Sequence, residues 1–128
     1  MSESEGHIYK RDHQLQGTAV RLNLSEQAAD LLAEARPASQ HRAARTLIKE
    51  GPLRLTLLAL VEGSSIDEHR AGGPVSIEVV NDGAVTIEAA GERYELQGQD
   101  ALVLDAAVSH SLRASRDTVL LLTIAMPA

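Results

Sequence analysis

Two histidines, His69 and His110, stand in the β-rich part of the chain and are its best candidates for acid–base chemistry or metal ligation. They fall on separate candidate strands, so only folding can bring them together. Side chains alternate along a strand, so Ser76, Glu78 and Val80 share one face. Ser76 near His69 offers a hydroxyl and a base, but no acid is evident to orient the imidazole. Ser109 and His110 are strand neighbours on opposite faces and cannot act as nucleophile and base. By the same alternation Arg70 and Arg113 point away from the histidine near each of them. The absence of cysteine excludes disulfides, thiolate zinc sites and cysteine nucleophiles. Gly72-Gly73-Pro74 reads as a turn, and no glycine-rich loop opens a helix, which argues against a phosphate cradle. His7, His13 and His41 lie outside the β-rich part and read as surface residues.

The elements that must position these groups are one helix and many short strands. Residues 23–35 are the one good helix: Leu24, Ala28, Leu31, Leu32 and Ala35 form an apolar stripe. Asn23 or Ser25 caps it, Glu26 completes a capping box with Asn23, and Pro37 ends it. Candidate strands follow at 44–50, 53–61, 65–71, 75–81, 84–89, 92–97, 101–105, 110–114 and 118–126. Gly51-Pro52, Gly63-Ser64, Asn81-Asp82-Gly83, Ala90-Gly91 and Gln97-Gly98 punctuate them with turn chemistry. The expected fold is all-β: a small antiparallel β-barrel of jelly-roll type over about 43–126, preceded by one N-terminal helix. Residues 1–18 read as a mobile tail, with His7-Ile8-Tyr9 as an alternative edge strand, and 19–128 as one domain.

Composition narrows the function classes. A chain of 128 residues suits a single domain with one core. With neither Phe nor Trp, that core is aliphatic and offers no shelf for stacking a base or flavin. A net charge of −6 disfavours nonspecific nucleic-acid binding. The local run Arg36, His41, Arg42, Arg45, Lys49 and Arg54 reads as a solvated strand face. No apolar run approaches a bilayer span and the N-terminus lacks the pattern of a secretory signal, so a cytoplasmic location without membrane contact is expected. Residues 53–61 and 119–124 are largely apolar on both faces and need covering twice. One helix is not expected to cover both, which points to a homodimer.

At the histidines the sequence resembles a small, single-domain cupin. Gly63, five residues and then His69 follow the first cupin motif, and Gly83 falls on its closing glycine. Ala71 stands at the second histidine position and Ser76 at the glutamate position. In the second motif His110 is in register, Gly98 lies one residue before the expected glycine at Gln99, and Asp100 follows. Asp105, Ala107 and Ala114 replace its proline, second glycine and asparagine. The resemblance spans roughly 47–128 and implies the jelly roll with a degenerate metal site.

A metal-binding cupin uses three histidines and a carboxylate. Borderline metals such as Fe, Mn, Ni or Zn need about three protein ligands beside open positions. If Ser76 points inward like its counterpart in the family, Glu78 does too, and His69, His110 and Glu78 form a two-histidine, one-carboxylate set. If the Gly72-Gly73-Pro74 turn shifts the register, Ile77 faces in and Glu78 faces solvent. The favoured expectation is a small-ligand pocket at His69, His110, Ser76 and Glu78 without a standard metal centre. The alternatives are a metal-dependent dioxygenase or isomerase, and a structural or regulatory dimeric module.

Overall fold

The structure, a computed structural model, describes residues 17–127. Helix α1 (Leu24–Ala35) begins where Asn23 Oδ1 accepts the Glu26 N–H at 3.0 Å, and it buries Ala28, Leu31 and Ala35. Nine strands follow: β1 (Arg42–Glu50), β2 (Leu53–Leu60), β3 (Ser65–His69), β4 (Val75–Val79), β5 (Ala84–Ala89), β6 (Glu92–Gln97), β7 (Ala101–Leu104), β8 (His110–Ala114) and β9 (Thr118–Ala125). All pairings are antiparallel, in the orders β1-β2-β9-β4-β7 and β3-β8-β5-β6. Each sheet keeps two edge strands, so the expected barrel is an open jelly-roll sandwich of two facing sheets.

The alternation of β-strands divides the apolar residues into two cores. Leu58, Leu60, Val75, Ile77, Val79, Val85, Ile87, Leu112 and Leu120 fill the space between the sheets. Leu57, Ala59 and Val119 lie on the other face of β2 and β9, against Ala28, Leu31 and Ala35 of the helix. Because β2 and β9 are neighbours in one sheet, a single helix reaches both. This corrects the expectation that it could not, and removes the covering argument for a second copy. Burying Leu31 completely contributes about 2 kcal/mol.

The basic run does not form one solvated face. Arg45 turns to the helix and bonds Gln27 and Glu34, with its side chain 17% exposed. Arg42 Nη1 donates to the Ser65 carbonyl at 2.7 Å and ties β1 to β3, while Arg36 pairs with Asp117. His41 is exposed. The expectations for His7, His13 and residues 1–16 lie outside the described residues. Among the described residues no helix is long and apolar enough to cross a membrane.

Candidate functional site

His69 ends β3 and His110 opens β8, and the two are direct cross-strand partners. A bulge in β3 makes this possible. Ile66 pairs with Leu112 and His69 with His110, so β3 advances by one extra residue between the two pairs. Ile66 and His69 therefore both turn toward the space between the sheets, where Leu112 and His110 also point. The imidazole centroids are 4.4 Å apart and the rings are tilted by 54°. His69 is exposed and His110 is 3% exposed, so solvent meets His69 first.

Main-chain bonds set the tautomers. His69 Nδ1 lies 3.0 Å from the Asp67 carbonyl and His110 Nδ1 3.2 Å from the Val108 carbonyl. A carbonyl only accepts, so each Nδ1 carries a proton and donates it. In each neutral ring the lone pair is then on Nε2, available to a ligand. Burial pushes His110 below the ordinary histidine value of 6.5; the Val108 bond acts the other way, and the nearby His69 adds to the lowering. His110 is accordingly neutral at pH 7.

Ser76 and Glu78 are parted from this pair. Val75, Ile77 and Val79 are the buried, inward residues of β4. Ser76 and Glu78 pair with Thr123 and Leu121 of β9, on the sheet face that carries the helix. The turn at Gly72-Gly73-Pro74 thus sets the register that puts Ile77 inside. Because Glu78 lies on the far side of the sheet, the set of His69, His110 and Glu78 is not assembled, and Ser76 has left the pair as well. Among the described residues no three His, Cys, Asp or Glu gather as a metal site. Two imidazoles fall short of the three or so protein ligands that a resident borderline metal needs, so the described residues by themselves do not fit such a centre.

The surroundings of the pair are aliphatic. Ile66, Ala71, Val108, Leu122 and Ile124 are partly buried against the core between the sheets. Two grooves, of about 370 and 400 Å³, lie elsewhere, on the outer face of β3-β8-β5-β6. Glu68, Glu88, Arg93 and Ser111 line both of them. Ser109 belongs to the first and Arg113 to the second, on the face away from His110, as alternation requires. Arg70 is exposed.

Sequence reading passed over two inward residues. Arg54 pairs with Ile124 and Thr56 with Leu122, both partners packed against the core between the sheets. The signal was present: Arg54 and Thr56 share parity with Leu58 and Leu60.

No protein-family model matches the chain, and no curated protein matches it. Solved structures do. A cupin superfamily protein from Desulfitobacterium hafniense is similar over 90% of this chain and 96% of its own, at 16% identity and a TM-score of 0.65. A conserved protein of unknown function from Streptococcus pyogenes is similar over 71% of this chain and 79% of its own, at 24% identity and a TM-score of 0.64. A salicylate 1,2-dioxygenase from Pseudaminobacter salicylatoxidans covers 78% of this chain at 20% identity and a TM-score of 0.69, and the match spans 33% of that enzyme. At these identities the likeness is one of fold.

Proposed function

We propose that this chain, which has the cupin fold, is a small-molecule binding protein whose ligand docks at the His69–His110 end of the sandwich. One observation carries the reading: two imidazoles in contact, each with Nδ1 committed to a main-chain carbonyl. The groups left to meet a ligand are the two Nε2 atoms, beside an aliphatic interior. The matching ligand has an apolar body and a polar group that hydrogen-bonds to imidazole. Catalysis at a metal held by His69, His110 and Glu78 is disfavoured, because Glu78 occupies the opposite face of its sheet.

The test is thermal unfolding of the purified protein across a broad metabolite panel. A true ligand at a hundredfold its Kd adds about 2.7 kcal/mol to native-state stability. The expected result is at least one stabilising compound whose effect disappears in His110→Leu. A panel that leaves the melting temperature unchanged, or a stabilisation that survives His110→Leu, defeats the reading.

A further inference from the structure

The inner face of β2 carries a positive charge at the same end of the sandwich as the two histidines. The turns that join β2 to β3 and β8 to β9 lie at the other end, so the end of β3, the start of β8, the start of β2 and the end of β9 share the histidine end. His110–Ala114 and Thr118–Leu122 run equal lengths from their shared turn, which sets His110 level with Leu122 and its partner Thr56. The next inward position toward the mouth is Arg54, opposite Ile124.

Arg54 is half-buried, and its Nη1 donates to the Gly51 and Leu53 carbonyls at 2.7 and 3.1 Å. These bonds hold the guanidinium at the β1–β2 turn. Its Nε and Nη2 have no partner among the described residues, and no carboxylate pairs with it there. Arg36, Arg45 and Arg93, by contrast, each have one. Lys49 stands directly across from Arg54 on β1. Like charges directly opposite on a ladder are unfavourable, and an anion between them would remove that cost. The arrangement also stands out in a chain of net charge −6.

We infer that the ligand is a small carboxylic acid with an apolar body, its carboxylate bound by Arg54 and its body lying over His69 and His110. The guanidinium offers two parallel donors, the geometry a carboxylate accepts. The imidazoles then serve the rest of the molecule rather than its charge. This rests on the ligand-binding reading above and gives it a chemical class.

Hexanoate and benzoate, with hexanamide and benzamide as uncharged counterparts, are the probes. Their affinities are measured calorimetrically at neutral pH on the full-length protein, Arg54→Met, Arg54→Lys and His110→Leu. Each variant is first checked for a cooperative melt. At least one acid is expected to bind, with its amide weaker by about tenfold or more, and Arg54→Met is expected to weaken the acid by about tenfold to a hundredfold. Arg54→Lys keeps the charge without the fork and falls between, and it decides the matter if Arg54→Met does not fold. Amides that bind as well as acids, or an acid indifferent to both Arg54 variants, overturn the carboxylate assignment but leave the histidine pocket standing. Acids that depend on Arg54 but not on His110 keep the carboxylate assignment but overturn the placement of the body over the histidines, and with it the pocket reading. Failure of both acids to bind overturns the carboxylate assignment, while the metabolite panel still judges the pocket.

Discussion

Where β2 turns into β3 and β8 into β9, polar side chains are bonded to the main chain and to one another; at the opposite end, where His69 and His110 sit, they are left with bonding capacity to spare. At the first end Thr118 is fully buried, accepts the Ala84 N–H at 3.0 Å and lies 2.8 Å from the Arg116 carbonyl. Asn81 takes the Val119 N–H at 3.0 Å and donates to the Asp117 carbonyl. Asp117 in turn accepts from the Glu62 N–H and from Arg36. Main-chain bonds between Gly63 and Ala114 and between Ser64 and Ala114 join the β2–β3 turn to β8. At the histidine end the main-chain bonds from Met126 to Pro52 and from Ala125 to Pro74 stay within one sheet. Among the described residues, the network of side-chain bonds to the main chain is concentrated at one end.

Substitutions at the two ends should therefore differ in kind. The largest effect is expected from Gly83→Ala, because the new Cβ would stand 2.5 Å from Thr118 Oγ1 and 2.7 Å from Thr118 Cα. Main chain cannot yield there, and a loss of about 3 kcal/mol in urea unfolding is expected. Thr118→Val comes next, at about 2 kcal/mol, because it strands the Ala84 N–H in the interior. His110→Leu should cost less, about 1 kcal/mol: it loses the bond to the Val108 carbonyl, but Val108 is half-buried and an apolar side chain of similar size fills the space. Near-equal losses from Thr118→Val and His110→Leu would erase the contrast between the ends.

A pH series sharpens it further. Burial lowers the folded-state value of His110 below 6.5, so the unfolded chain takes up this proton first as the solution is acidified. The stability tied to His110 is complete above 6.5 and declines below it, toward the lowered folded value. Urea midpoints of the wild type should fall across that window, and His110→Leu should flatten this part of the fall. An unchanged slope in the variant would assign the acid sensitivity to other groups.

The same division explains what could be read from the sequence. Gly63 and Gly83, the two glycines in register with the cupin motif, both belong to the end that carries the polar network. Gly63 adopts a φ of +88°, and Gly83 passes too close to Thr118 for any side chain. Crowding at Gly83 leaves room for no side chain and the backbone at Gly63 favours glycine, so both mark the sequence plainly. The helix was equally legible from its stripe and its Asn23 cap. The site was legible only as a pair of histidines. The facing of Ser76 and Glu78 depends on how Gly72-Gly73-Pro74 hands register to β4, and nothing local fixes that parity. Arg54 was submerged in a basic run whose members turned out to face different ways. The carbonyls that fix the histidine tautomers belong to the main chain and leave no trace in side-chain identity.

The bulge between Ile66 and His69 carries a consequence for how such a site can be gained or lost. Removing one residue at Asp67 or Glu68 would abolish the bulge and set the histidine two positions after Ile66, still on the inner face and opposite His110, whereas straightening β3 at its present length would turn His69 to the outer face. In this protein an odd spacing of three residues is reconciled with a shared face only by that irregularity, so the meeting of the two histidines depends on a local backbone distortion that no side chain announces.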